Sequence, residues 1–108
     1  MYSLAQIEKE LATVQQPPAT LADFKVYLAA LYSFKAGQLE DILTRKPKVW
    51  LSLREGVNSD KAADRQWDAS DDGIAEMKLR LDLKRIEKIN SALTSRIRIA
   101  EGEARNQY

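Results

Sequence analysis

The feature that most constrains this chain is a seven-residue repeat in its last third. Leu79, Ile86, Leu93 and Ala100 recur at that interval, and Leu83, Asn90, Ile97 and Ala104 form a second series four positions on. This a/d spacing predicts one long helix from Asp71 to about Ala104. At a rise of about 1.5 Å per residue it would be about 50 Å long, against a radius of gyration of about 13 Å for a compact chain of this size. Two arrangements cover its apolar seam: the preceding helix folds back along it as a hairpin, or the seam packs on the same helix of another subunit. Leu79, Leu83, Ile86, Asn90, Leu93 and Ile97 form the candidate oligomer seam, and Asn90 is either a buried selector of register or exposed where the seam shifts to Ile89.

The rest of the chain also reads as helix. Glycine is scarce at 4 residues and proline at 3, and between them lie long runs of Ala, Leu, Glu, Lys, Gln and Arg. Ser3 is an expected N-cap for a short helix within residues 1–16, with Leu4, Ile7, Leu11 and Val14 on its apolar face and Pro17 and Pro18 ending it. Thr20 with Asp23 opens a second helix as a capping-box variant, with Phe24, Tyr27, Leu28, Leu31, Phe34, Leu39, Ile42 and Leu43 facing inward. Gly37 implies close helix approach or a bend. Pro47 is expected to kink this helix or restart it in a first turn, and Gly56 to stop it, giving a kinked segment over 20–56. Asn58 or Ser59 caps the segment from 59 to 105, in which Asp60 to Ala69 either runs into the last helix or is separated from it by Ser70 to Gly73. The expectation is therefore a single all-α domain over 1–108: an elongated helical hairpin with a long heptad-patterned C-terminal helix, oligomeric through its seam.

Composition narrows the function classes. The chain has no Cys and no His, which removes thiol nucleophiles, imidazole bases, zinc fingers and His-ligated metals. Its four glycines are isolated, so no phosphate loop is present. Asp60, Asp64, Asp68, Asp71, Asp72 and Glu76 are acidic enough to suggest Mg²⁺, but acids gather at helix N-termini and Lys61 and Arg65 offset them. No catalytic residue, cofactor or metal site is expected. Glu8, Lys9 and Glu10 interrupt any secretory apolar run, and no run approaches the ~20 residues of a membrane span, so a cytoplasmic protein without membrane contact is expected.

Basic residues are segregated although Lys plus Arg exceed Asp plus Glu by only 17 to 16. Arg45, Lys46, Lys48 and Arg54 surround Trp50, and the last helix carries eight cations, Lys78, Arg80, Lys84, Arg85, Lys88, Arg96, Arg98 and Arg105, against Asp82, Glu87, Glu101 and Glu103, with Lys84, Arg85 and Lys88 the expected contacts. Cations that follow phosphates beside a ring that stacks on a base suit single-stranded nucleic acid. The alternatives are that Trp50 is core and that the cations form a solvated helix face.

With the Asp64-Arg65-Gln66-Trp67 run, Glu76-Met77-Lys78 and Ser95-Arg96 set on this helical pattern, the chain resembles small phage proteins. In particular it is similar to the UvsY-type recombination mediators of T-even phages over roughly residues 24 to 100. That resemblance implies a non-catalytic oligomer in the host cytoplasm that binds single-stranded DNA, with a recombinase and single-strand-binding protein as partners. It also implies that the basic residues above contact DNA. The other reading of the same residues is a pure protein–protein interaction module, a phage inhibitor or structural adaptor, without nucleic-acid binding.

Overall fold

The computed structural model describes residues 3–13 and 17–106, which form four helices: α1 (Leu4–Thr13), α2 (Pro18–Glu55), α3 (Asp60–Ala69) and α4 (Asp71–Asn106). Among the described residues there is no strand, and no helix is long and apolar enough to cross a membrane. The protein is all-α, as its helix-forming composition predicts. Of the first helix's expected span, residues 1, 2 and 14–16, Val14 among them, lie outside the described residues, as do the side chains of Ala104 and Arg105.

Local chemistry sets the helix ends. Ser3 caps α1, its Oγ accepting the Gln6 N–H at 3.1 Å while its carbonyl accepts that of Ile7 at 3.0 Å. α2 begins earlier than the Thr20 cap predicts. The Pro17 carbonyl accepts the N–H groups of Thr20 and Leu21, which puts Pro18 in the first helical position, where a missing N–H is harmless. α2 then runs through Pro47 instead of restarting there. An interior proline removes one helical bond and costs about 3 kcal/mol or more; here Pro47 is exposed, and packed residues flank it, Ile42 before and Val49, Trp50 and Leu53 after. The helix does stop before Gly56, but no described glycine has a positive φ, so the expected left-handed cap is absent. The Arg54 side chain holds this turn by donating to the Val57 carbonyl at 2.9 Å.

Ser59, not Asn58, caps α3, accepting the Ala62 N–H at 3.1 Å from an extended backbone. Ser70 alone separates α3 from α4. Its N–H and Oγ both donate to the Trp67 carbonyl, ending α3, while the same Oγ accepts the Gly73 N–H at 3.1 Å and its carbonyl accepts that of Ile74, starting α4.

Packing divides the chain into two compact units, Met1–Ser33 with Lys84–Tyr108 and Phe34–Leu83, and α2 and α4 contribute residues to both. In the first unit Ile7 and Leu11 of α1, Leu21, Phe24 and Leu28 of α2, and Ile86, Ile89 and Leu93 of α4 form one buried cluster, with Ile97 partly buried against it. Lys25 donates to Thr94 and Tyr32 to Glu87, so α2 and α4 are antiparallel here. In the second unit Leu39, Ile42, Trp67 and Leu79 form the core, with Leu83 packed on it. Lys35 pairs with Asp82 and Arg45 with Asp72, again antiparallel.

The heptad residues are thus packed within the chain. Within each unit the seam of α4 packs on α2, the hairpin pairing expected from sequence. Ile89, off the heptad, is buried because α1 adds a second neighbour on that side of α4. Asn90 is half-buried and lines a groove with Tyr32 and Glu87. On α2 the inward face departs from expectation: Phe34 is 65% and Leu43 36% exposed. Lys35 takes the inner-edge position beside Phe34, its stem half-buried and its ammonium 2.9 Å from Asp82.

Candidate nucleic-acid interface

The cluster around Trp50 lies in the second unit, and most of it is engaged in ion pairs. Arg45 donates from Nε and Nη2 to the two carboxylate oxygens of Asp72 at 3.0 and 2.8 Å, a bidentate pair. That hydrogen bond holds the Asp72 carboxyl below its usual range and raises the Arg45 guanidinium. Lys46 donates to Glu76 at 2.8 Å and lies 5.1 Å from the centre of the Trp67 ring. Arg54 pairs with Asp60 at 2.7 Å. Trp50 is half-buried against the core, and its Nε1 donates to Asp64 at 2.8 Å. Lys48 is exposed and has no ion-pair partner among the described residues.

Glu76 is the hub of this unit. Its side chain is only 14% exposed and accepts from Lys46, Arg80 and the Nε1 of Trp67, the last at 3.2 Å. The Lys46 hydrogen bond is the main reason its pKa falls, with Arg80 and Trp67 adding to it and burial opposing. Trp67, 2% exposed, is core, and its polar edge is satisfied by this carboxylate. The acidic run seen in sequence is thereby spread over separate partners: Asp60 on Arg54, Asp64 on Trp50, Asp72 on Arg45 and Glu76 on Lys46. Among the described residues no group of three or more such side chains converges on a point that could hold a metal ion.

The cations of α4 in the first unit divide differently. Arg85 is paired with Glu8 of α1, and Arg96 donates to the Leu11 carbonyl. Lys84 and Lys88 are exposed and form no ion pair among the described residues. They continue at alternating steps of four and three into Ser91, Ser95 and Arg98, all exposed. This is the spacing of one helix face, opposite the buried Ile86 and Leu93. No acid stands on the line, and the adjacent Glu87 carboxylate accepts the Tyr32 hydroxyl at 3.1 Å, which raises that phenol's pKa. From Lys84 to Arg98 the line is about 21 Å long at about 1.5 Å per residue. Three cations and two hydroxyls that face solvent together can contact successive phosphates of one strand.

Ser91 and Ser95 are not in the set predicted from sequence, and Arg98 enters there only as one of the eight cations of the last helix, although a signal for all three exists. They share the heptad period of the seam in the opposite phase. The structure therefore separates the predicted residues into two places, with Arg45, Lys46, Lys48, Trp50 and Arg54 in one unit and Lys84, Arg85 and Lys88 in the other. No protein family, curated protein or solved structure matches this chain.

Proposed function

We propose that the chain is a non-catalytic helical protein that binds single-stranded DNA, without sequence preference, along the outer face of α4. The observation that carries this reading is the line of Lys84, Lys88, Ser91, Ser95 and Arg98, exposed and free of acids, while Arg45, Lys46, Arg54 and Arg85 are each in an ion pair. The contact is electrostatic, since the phosphates are the charged groups of a strand and recur whatever its sequence. It fits the mediator role that the resemblance to UvsY-type proteins implies, in which a recombinase and single-strand-binding protein would be its partners.

Fluorescence anisotropy with labelled oligo-dT tests it. With three phosphate contacts the salt slope should be about −2, so affinity should fall roughly twentyfold between about 50 and 200 mM salt. A Lys84→Ala, Lys88→Ala, Arg98→Ala variant should lose most binding, and a Lys46→Ala, Lys48→Ala, Arg54→Ala variant should keep most of it. A duplex of equal length tests the preference for a single strand. Equal binding by the α4 variant and wild type would remove the reading. Ile74, Met77 and Leu81, 38%, 54% and 58% exposed at helical spacing on α4, favour the second reading, a protein-interaction module. This stripe is also an apolar α4 surface open to self-association.

A further inference from the structure

Besides the apolar packing of Ile7 and Leu11, α1 makes two polar contacts with α4. One is the Glu8 carboxylate, which pairs with Arg85. The other is its C-terminal turn, at the negative pole of the helix, where the Leu11 carbonyl accepts from Arg96. Arg85 lies beside the free line of α4. Arg85 is three residues before Lys88, a neighbouring position on the helix surface. Arg96 stands two turns beyond Lys88 and farther round the helix, next to the buried Leu93 and toward α1.

Resting on the reading above, we infer that Arg85 and Arg96 are further phosphate-binding residues and that α1 is an intramolecular competitor that covers them. α1 offers these arginines a carboxylate and a carbonyl in place of phosphate oxygens. Its own hold is modest. It has 10 residues, shorter than the helices that persist alone in water, and its fully described anchors are Ile7 and Leu11 in the core with Leu4 partly buried. A groove of about 430 Å³ lined by Leu11, Ala12, Ile89 and Ala92 remains between α1 and α4, with Lys88 and the Glu8–Arg85 pair at its edge. The pair itself is half in water, with side-chain exposures of 45% and 44%. A short helix on an incompletely filled joint belongs to the part of a fold that opens first. A strand bound along Lys84, Lys88 and Arg98 favours that opening, because the open form binds it with more cations.

The test is a double-mutant cycle on oligo-dT affinity with wild type, Glu8→Gln, Arg85→Ala and the double variant, each checked for wild-type helicity by circular dichroism. Glu8→Gln should tighten binding about eightfold at about 50 mM salt and steepen the salt slope by about 0.7, the effect of one added phosphate contact. That gain should vanish when Arg85 is Ala. Hydrogen exchange gives a second readout: saturating oligo-dT should speed exchange of the Leu4–Thr13 amides in the wild-type protein. No gain from Glu8→Gln, the same gain without Arg85, or unchanged α1 exchange overturns the competitor role while leaving the α4 reading intact, provided the Lys84, Lys88, Arg98 variant has lost binding. If wild type does not bind, or if that variant binds as wild type does, the α4 reading has failed and this inference with it.

Discussion

Gly73→Ala is the sharpest test of the corner between α3 and α4. A Cβ at Gly73 falls 1.8 Å from the Trp67 carbonyl oxygen, 2.6 Å from its carbon and 3.0 Å from the Asp68 Cα. Ordinary contact begins at 3.4 Å, so the helices must part by the difference between 3.4 and 1.8 Å, about 1.6 Å. The atoms met are backbone, which no rotamer change can move aside. Overpacking against a fixed neighbour costs up to about 3 kcal/mol, and disturbing the Ser70 caps adds about 1 kcal/mol. The helix propensity of alanine returns about 1 kcal/mol. The net loss is about 3 kcal/mol, or a Tm about 10–20 °C lower for a chain of this size. Gly37→Ala is the control, since a Cβ there meets nothing within 4 Å. The same chemical change should there stabilise by about 0.5–1 kcal/mol. Thermal melts followed by circular dichroism measure both. Similar Tm values for the two variants, or a Gly73→Ala protein as stable as wild type, would refute the close approach of α4 to the end of α3.

Three further outcomes follow from individual contacts. Glu76 and Asp72 have folded pKa values below their unfolded ones, so the stability they contribute is complete above roughly pH 5 and is lost as pH falls through the folded values, below the usual ~4; urea melts at pH 7 and pH 3 should show the loss, and Glu76→Gln should reduce it. Ser70→Ala removes the hydroxyl that bonds both α3 and α4 and should cost about 1–2 kcal/mol in the same melts, with an unchanged midpoint counting against the double cap. Leu93→Ala, at a position with 0% exposure, should cost about 2–5 kcal/mol, whereas Leu81→Ala, 58% exposed, should stay within about 0.5 kcal/mol; equal effects would mean the inward face of α4 is misassigned.

What the sequence shows of this fold is mostly what neighbouring residues decide. Ser3 and Ser59 cap by bonds to an N–H three residues on, and the heptad of α4 marks its buried side, so both can be read locally. Trp67, four residues from Ala63, is recognisable as packing for the same reason. The run of α2 through Pro47 is not local: it depends on Val49, Trp50 and Leu53 finding a core made with α3 and α4. Gly73 looks like an ordinary loop glycine until the backbone of α3 is set against it. Phe34 and Lys35 exchange their expected sides because Asp82, 47 residues away, receives the lysine. Nor does the sequence show that Arg45 belongs to Asp72, 27 residues on, or that Arg85 belongs to Glu8, 77 residues back. Basic patches read from sequence count cations before their partners are known.

Those partners also differ in how readily they give the cation up. An exposed ion pair in water contributes only about 0–1 kcal/mol, so a phosphate that supplies a similar contact can replace the carboxylate at little cost. A pair held around a carboxylate with most of its surface covered is different, since removing the cation leaves a buried charge. Lys46 belongs to the second kind, because Glu76 is 14% exposed and shares its oxygens with Arg80 and Trp67. Arg45 is intermediate: its pair with Asp72 is bidentate and about half covered, at 49% and 35% exposed. Arg85, at 45% against 44% for Glu8, belongs to the first kind and lies beside cations that have no partner to give up. A polyanion displaces no carboxylate at Lys84, Lys88 and Arg98, which stand together on one face of α4, and only an exposed one at Arg85. In the cluster around Trp50, Lys48 is exposed and Arg54 is paired with an Asp60 that is 75% exposed, whereas Lys46 and Trp50 have to lose core contacts before they can bind.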